Sequence, residues 1–236
     1  MQFDPPLTKA RLIRRYKRFL ADAELADGTP VTAHCANPGS MMGLAEPGTV
    51  IWLSHHDSRT RKLAYGWELA QLADAFAGVN TGVTNALVAE ALARGRIEPL
   101  AAYPEIRREV RVGASRLDFR LTGNDSDARD CFVEVKSVTL SRPATPGLAE
   151  FPDAVTARGA RHLGELASLA ENGQRAVMLF IVQRTDCVRF APAGDIDPNY
   201  AECLEKAVNA GVELLCYDCQ IDSNGISIDR PLPVAL

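Results

Sequence analysis

The hydrophobic pattern of this chain changes its period near residue 80, and that change limits the folds open to it. Before residue 80, segments 19–25 and 31–35 alternate apolar and polar side chains around an Asp27-Gly28 turn. Two further apolar segments, 50–53 and 65–69, flank a polar stretch from Ser58 to Lys62. Alternation with closely spaced turns is typical of antiparallel strands. Short strands without a long helix predict a small β-barrel over residues 1–80.

After residue 80, helical and strand patterns alternate. A helix starts at Thr84 or Asn85 and ends at Gly95, because polar residues and glycine favour those two ends. Two more helices are predicted over 155–171 and 200–209. The order αβββαβαβ predicts an α/β domain with a mixed sheet over residues 81–236, so that the whole chain is α+β in class. Its predicted strands are 106–112, 116–121, 131–138, 176–183 and 212–217.

The composition fits a folded protein without a membrane anchor. Of the 236 residues, 47% are hydrophobic and 24% are charged, which is enough to bury a core. The longest apolar run, 176–182, is far shorter than the roughly 20 residues of a membrane helix. The N-terminus lacks the basic and apolar regions of a secretory signal. We therefore expect a cytoplasmic protein with no membrane partner.

The cysteines are expected to be reduced and to have no catalytic role, because no export signal accompanies them. Of the six, only Cys216 and Cys219 have metal-like spacing, and no second pair completes a zinc site. Cys216 is expected at the end of a strand with no helix after it, which argues against thioredoxin-type chemistry.

The net charge argues against a general binder of polyanions. The chain has 26 Lys and Arg against 30 Asp and Glu, a formal net charge of -4, whereas affinity for nucleic acid comes mainly from clustered basic side chains. One such cluster lies near the N-terminus: Lys9, Arg11, Arg14, Arg15, Lys17 and Arg18. Charge alone leaves two interpretations open, a solvated face or a phosphate-binding patch.

Segment 132–138 places two charged residues in an otherwise apolar strand. Alternation puts Glu134 and Lys136 on one face and Val133 and Val135 on the other. Charge close to a core costs several kcal/mol unless it is paired or bound to a ligand. Asp118 interrupts the preceding strand in the same way, and two adjacent strands can bring it beside Glu134.

Two carboxylates at one end of a sheet suit a hard cation such as Mg²⁺. A bound metal ion lowers the pKa of its water, and Lys136 could neutralise the charge that grows in the transition state. Asp118, Glu134 and Lys136 therefore form a candidate phosphodiester-cleaving set. The alternative is a buried Glu134–Lys136 ion pair, although Asp118 would leave that pair with excess negative charge.

Three other elements supply candidates. Glu90, at the edge of the apolar stripe of the first helix, could reach the metal or face solvent. Arg158, Arg161 and His162 have i, i+3 and i+4 spacing on the long helix, typical of either a phosphate-binding face or a solvated rim. A lone histidine such as His162 is more typical of the surface than of a catalytic base. Gln183, after an apolar strand, could cap the sheet or contact the site.

The segment from His34 to Met41 also concentrates polar residues, with Asn37 and Ser40 around a Pro-Gly turn. Ser40 lacks the Gly-x-Ser-x-Gly surroundings of a hydrolase nucleophile. His34 and Cys35 are adjacent in a strand and point to opposite faces, so they cannot form a dyad. The loop is either turn structure or a ligand contact.

Six short sequence strings, spread over nearly the whole chain, are informative together. They are Leu12-Ile-Arg-Arg-Tyr-Lys-Arg-Phe-Leu20, His34-Cys-Ala-Asn-Pro-Gly-Ser-Met41, Ser115-Arg-Leu-Asp-Phe119, Val133-Glu-Val-Lys-Ser-Val-Thr139, Phe151-Pro-Asp-Ala-Val-Thr-Ala-Arg-Gly159 with Arg161-His-Leu163, and Leu232-Pro-Val-Ala-Leu236. In this order they resemble the sugar fermentation stimulation protein A family.

The resemblance implies an OB-like β-barrel over residues 1–80 and a PD-(D/E)XK nuclease-like α/β domain with a mixed sheet over 81–236. In that nuclease pattern, Asp118 and Glu134 match the metal carboxylates and Lys136 the catalytic lysine. Glu90 matches a helical acidic residue of some members, and Arg161 a phosphate-binding position. The resemblance also implies Mg²⁺ or Mn²⁺ as cofactor and DNA, bound without marked sequence preference, as partner.

Three functions stay open at this point. The chain could be a Mg²⁺-dependent nuclease that holds single- or double-stranded DNA on its barrel. It could be a non-catalytic DNA-binding regulator of sugar (maltose) metabolism, although it has no recognisable helix-turn-helix. It could also be a carbohydrate- or protein-interaction module with an inert charged cluster. A nuclease-like fold does not by itself establish cleavage, so the fold leaves all three functions open. Both a monomer and a homodimer are compatible with the sequence.

Overall fold

The N-terminal part of the chain is a closed β-barrel, as predicted. The computed structural model describes residues 1–57, 62–113 and 115–236. The first strands are β1 (Thr8–Tyr16), β2 (Leu20–Leu25), β3 (Pro30–His34), β4 (Val50–His55), β5 (Tyr65–Leu72) and β6 (Ala75–Gly78). They form one sheet in the order β3-β2-β1-β4-β5-β6, and β3 also pairs with β5, which closes strands β1 to β5. Most of the predicted polar loop, residues 58–61, lies outside the described residues.

Alternation along β1 explains how this barrel presents its charge. Ala10 and Leu12 are buried in the barrel core, where they join Trp67, whose ring is 1% exposed. The basic residue between them, Arg11, is exposed. Because neighbouring side chains of a strand point to opposite faces, the apolar half of the pattern fills the barrel and the basic half faces outward.

The rest of the chain forms a mixed α/β domain. Its helices are α1 (Thr84–Ala93), α2 (Ala157–Glu171) and α3 (Pro198–Asn209), and its strands are β7 (Glu105–Val112), β8 (Ser115–Thr122), β9 (Cys131–Val138), β10 (Leu148–Phe151), β11 (Arg175–Val182), β12 (Arg189–Pro192), β13 (Glu213–Ile221) and β14 (Ile226–Pro231). The main sheet has the order β14-β13-β11-β9-β8-β7. Strands β9, β11 and β13 pair in parallel, whereas β7, β8 and β14 pair antiparallel with their neighbours. The predicted mixed sheet is therefore confirmed.

The main sheet is covered by helices on both faces. Leu87 and Val88 of α1 pack with Val133 on one face. Leu163 of α2 and Leu204 of α3 pack with other sheet residues on the opposite face. Strands covered on both sides read as nearly continuous apolar runs, as β11 does. Glu134 and Lys136 share the face of Phe132 and Val138, which belong to the α2 and α3 core.

The predicted helices and strands are all present, with shifted ends. Helix α2 begins at Ala157 rather than Val155, because the Thr156 hydroxyl accepts a hydrogen bond from the Gly159 amide at 3.1 Å and caps the helix. Strand β13 continues to Ile221, so the prediction that Cys216 ends a strand is wrong. The sequence patterns do not predict strands β1, β6, β10, β12 and β14. No helix among the described residues is long and apolar enough to span a bilayer.

Candidate metal centre

Strand β9 brings Glu134 and Lys136 together inside the domain. Their side chains lie on the same face, and Lys136 Nζ donates to Glu134 Oε1 at 2.5 Å. Glu134 is only 3% exposed. Because β9 lies between β8 and β11 in the sheet, its backbone holds this pair at a fixed place rather than on a loop.

Asp118 reaches the same place from the neighbouring strand. Strands β8 and β9 pair from Leu121 to Phe119, and Asp118 is the next residue along β8. Its Oδ2 accepts a hydrogen bond from the Val135 amide at 2.8 Å, and its Oδ1 accepts one from Asn85 Nδ2 at 2.6 Å. The two strands and the first turn of α1 therefore fix the Asp118 carboxylate at the predicted position beside β9.

The two carboxylates have opposite electrostatic environments. Burial and the neighbouring charge of Glu134 raise the pKa of Asp118, although the Val135 amide and Asn85 oppose that shift. Burial also acts to raise the pKa of Glu134, but a hydrogen bond from His162 and the charge of Lys136 outweigh it and lower that pKa. Asp118 and Glu134 thus place two negative charges close together, and a cation shared by the two carboxylates would relieve their repulsion.

One oxygen of this centre has no hydrogen-bond partner. Glu134 Oε1 accepts from both Lys136 and His162, whereas Glu134 Oε2 is buried and has none among the described residues. A buried charged oxygen without a partner is costly. No group of three or more His, Cys, Asp or Glu side chains arranged to hold a metal occurs within residues 1–57, 62–113 and 115–236. Two carboxylates still fit Mg²⁺, since this ion keeps several water ligands.

Comparison with known proteins identifies the family. A protein-family model described as "Sugar fermentation stimulation protein RE domain" matches residues 82–225. A second, described as "SfsA N-terminal OB domain", matches residues 13–79. The chain belongs to the sugar fermentation stimulation protein family.

Relatives from other organisms match this chain over nearly its full length. Sugar fermentation stimulation protein homologs are 52% identical in Rhodospirillum rubrum, over 99% of both chains, and 56% identical in Ruegeria sp. (strain TM1040), over 99% of this chain and 100% of the relative. The structure of Pyrococcus furiosus SfsA in complex with Ca²⁺ has a TM-score of 0.89 and 28% identity, and covers 100% of this chain and 98% of that one. The OB-domain match agrees with the closed barrel.

The fold does not bring Glu90 to the candidate metal centre. One of its carboxylate oxygens lies 2.7 Å from Arg94, and the other lies 3.1 Å from the N-terminal ammonium of Met1. These cations lower its pKa. Helix α1 presents Asn85, not Glu90, to Asp118. Asn85 was considered only as a helix cap, and no spacing in the sequence indicated its contact with a strand 33 residues away.

Helix α2 divides its three candidates between solvent and core. Arg158 and Arg161 are exposed. His162 is 2% exposed, and its Nδ1 is hydrogen-bonded to Glu134 Oε1, so the expectation of a surface histidine is wrong. Arg158 Nε lies 3.4 Å from His162 Nε2, which connects the exposed rim to the centre. The stripe formed by Gly159, His162, Leu163 and Leu166 could have indicated this burial.

Gln183 serves the sheet rather than the centre. It is fully buried just after β11, and its Nε2 donates to Ser137 Oγ at 2.6 Å and to Thr84 Oγ1 at 2.9 Å. It therefore ties the start of α1 to β9, in agreement with the capping alternative.

The basic N-terminal run separates into bound and free cations. Arg14 pairs with Asp22 at 2.9 Å, and Arg11 donates to the Gly48 carbonyl at 2.9 Å. Lys17 and Arg18 lie in the loop between β1 and β2, are exposed, and pair with no carboxylate among the described residues. Only part of the run is therefore available to a phosphate.

Arg15 holds the loop of residues 35–41. Its Nη2 donates to the carbonyls of Asn37 at 2.8 Å and Gly39 at 3.0 Å, and its Nε donates to the Arg18 carbonyl at 3.1 Å. Asn37 Oδ1 in turn accepts from the Gly39 amide at 2.8 Å. These contacts favour turn structure for the loop, and they occupy donors of Arg15 that the sequence analysis assigns to a phosphate-binding patch.

The same loop joins the barrel to the α/β domain. Ser40 Oγ and the Met41 amide both lie 3.5 Å from Asp153 Oδ2, in the segment that precedes α2. His34, just before the loop, is exposed and its ring is stacked against Phe19. The six cysteines are free thiols, and five of them are buried, which agrees with a structural role.

Proposed function

We propose that this chain binds nucleic acid and hydrolyses its phosphodiester bonds with Mg²⁺ or Mn²⁺. The observation that carries the proposal is Glu134 Oε2, which is buried near Asp118 and Lys136 and has no hydrogen-bond partner in the described part of the chain. The description of a Pyrococcus furiosus relative as a complex with Ca²⁺ supports a hard cation for this family. The family description "RE domain" agrees with the PD-(D/E)XK likeness noted in the sequence.

Each residue of the centre has a distinct role in this proposal. Asp118 and Glu134 Oε2 would hold the cation, which supplies a nucleophilic water of lowered pKa and neutralises phosphate charge. His162 keeps Glu134 oriented through Oε1. Lys136 lies on the same face of β9 as Glu134, and its Nζ can donate to a phosphate oxygen. Asn85 and the Val135 amide hold Asp118 in place.

The exposed cations supply the binding surface. Lys17 and Arg18 in one loop of the barrel and Arg161 on α2 are exposed and can contact phosphates, as can the exposed Arg158 through the guanidinium nitrogens that do not face His162. Because contacts with phosphate carry no sequence information, binding through these cations is expected to show no sequence preference.

Nucleic-acid binding without hydrolysis is the second candidate. It is favoured by the occupation of Glu134 Oε1 by both Lys136 and His162, which leaves one oxygen of that carboxylate for a metal. In this case the protein is a sequence-nonspecific DNA-binding regulator, and sugar (maltose) metabolism is the process that it would regulate.

Cleavage assays separate the two candidates. Wild-type protein is incubated with single- and double-stranded DNA and RNA in Mg²⁺ or Mn²⁺, beside Lys136→Ala and a matched control, Lys206→Ala. Lys206 is an exposed lysine on α3 that pairs with Glu202. A nuclease loses cleavage in Lys136→Ala and keeps it in Lys206→Ala. Binding without cleavage in all three proteins would establish the regulator instead.

A further inference from the structure

The barrel carries an exposed aromatic pair that its own fold does not require. Phe19 is 46% exposed, and its ring lies 6.3 Å from that of His34 at an interplanar angle of 16°. A hydrogen bond of 2.9 Å from the Cys35 amide to the Phe19 carbonyl fixes the backbone beneath both rings. We call Phe19 and His34 the aromatic platform.

Two cations directly precede this platform in the chain. Lys17, Arg18 and Phe19 form the loop between β1 and β2, and the Tyr16–Leu20 pair closes that loop. Lys17 and Arg18 adopt φ angles of 49° and 64°, a left-handed conformation that is uncommon for residues other than glycine. The loop thus presents an exposed ring and two cations that pair with no carboxylate of residues 1–57, 62–113 and 115–236, all from three consecutive residues.

An exposed ring next to unpaired cations fits one class of partner better than others. Bases of a duplex are stacked on each other, whereas an unpaired strand offers base faces to an aromatic side chain and phosphates to nearby cations. Stacking of this kind tolerates any sequence, because every base has a π-face. Charge complementarity with a polyanion distinguishes this surface from an apolar contact between proteins.

The platform is connected to the candidate metal centre by contacts. The loop that follows His34 meets Asp153 through Ser40 and Met41. Asp153 precedes α2, whose His162 contacts Glu134. The loop that begins directly after the platform therefore adjoins the domain that holds the centre.

From these observations we propose that Phe19 and His34 stack on bases of single-stranded nucleic acid, with Lys17 and Arg18 on the adjoining phosphates. The inference rests on the proposed nucleic-acid function and names its substrate class, an unpaired strand.

The test compares a strand with bases and a strand without them. Fluorescence anisotropy in EDTA measures the affinity for a 12-nucleotide oligothymidylate and for an abasic oligonucleotide of the same length. Stacking of one base is worth about 5- to 150-fold in affinity. Wild-type protein should prefer the thymine-bearing strand by such a factor, and Phe19→Ala should lose most of that preference, because only His34 remains to stack. Phe19→Trp should keep the preference.

Two further variants make the comparison specific. Val188→Ala removes another exposed apolar side chain, 61% exposed in the α/β domain, and should behave as wild type. Lys17→Ala with Arg18→Ala should weaken binding of both strands by the same factor, because these cations contact phosphate.

Different results overturn different claims. If wild type binds both strands equally, or if Phe19→Ala weakens both equally, the platform does not stack on bases, although nucleic-acid binding stands. If no protein binds either strand or a duplex, the proposed function falls together with the inference. A dimer that Phe19→Ala converts to a monomer, without any base preference, would assign the surface to self-association.

Discussion

Replacing Arg15 with alanine should destabilise the barrel instead of removing a phosphate contact. The guanidinium donates to the carbonyls of Asn37 and Gly39 from a partly buried position. The loop that it holds contains Met41, which is 2% exposed and packs in the barrel core, as does the nearby Leu44. Loss of the guanidinium would therefore loosen part of the core.

The magnitude follows from these contacts. A hydrogen bond from a charged donor contributes about 1.5–3 kcal/mol, and partial exposure puts each of the two inner bonds at the low end. The bond to Arg18 is exposed and adds little. The expected loss is about 3 kcal/mol, which corresponds to about 6–12 °C in melting temperature for a chain of this length.

Calorimetry or circular dichroism measures the melting temperature, and DNA titrations over a range of salt concentrations measure the number of phosphate contacts. Arg14→Ala is the matched control, because its exposed pair with Asp22 is worth less than about 1 kcal/mol. Arg15→Lys keeps the charge but not the fork, and should lose most of the stability with an unchanged salt slope. An unchanged melting temperature in Arg15→Ala, with a slope about 0.9 smaller, would refute this reasoning.

Four further predictions concern the centre and the core. Asp118→Asn should weaken Ca²⁺ binding more than about tenfold by calorimetry, and equal binding would exclude Asp118 as a ligand. Burial and the charge of Glu134 raise the pKa of Asp118 above 3.8, so ionisation of Asp118 destabilises the metal-free fold. Asp118→Asn should therefore unfold at a higher urea concentration than wild type at pH 7. This difference in urea midpoint should shrink towards pH 4, where Asp118 takes up a proton. Leu163→Ala, beside His162 in the α2 core, should cost about 2–5 kcal/mol by urea unfolding. Thiol titration of the native protein should label Cys203 alone, because the other five cysteines are buried. These are Cys35, Cys131, Cys187, Cys216 and Cys219. Rapid labelling of a second thiol would contradict this prediction.

Local patterns in the sequence account for the part of the centre that was predicted. Glu134 and Lys136 share a face because a strand alternates with period two, and this holds wherever the strand lies in the sheet. Asp118 lies beside β9, as predicted, because a short connection between β8 and β9 makes these two strands neighbours in the sheet. Asn85 could not be predicted, since its contact with Asp118 depends on how α1 packs against the whole sheet.

His162 shows that a local signal can be present and misinterpreted. Its spacing from Leu163 and Leu166 put it on the apolar stripe of α2, yet its pairing with two arginines suggested an exposed face. The stripe decides the outcome, because the helix buries that side whatever polar residue it contains. Glu134 then supplies the hydrogen bond that a buried imidazole needs.

The basic run demonstrates why charge in a sequence does not measure a binding surface. Arg11, Arg14 and Arg15 look equivalent to Lys17 and Arg18, but their acceptors come from residues 22, 37, 39 and 48, which only the folded barrel brings near. A guanidinium already bound to carbonyls or a carboxylate would have to break those bonds to contact a phosphate. The two cations in the loop between β1 and β2 have no such competition, so they should account for most of the salt dependence of this run.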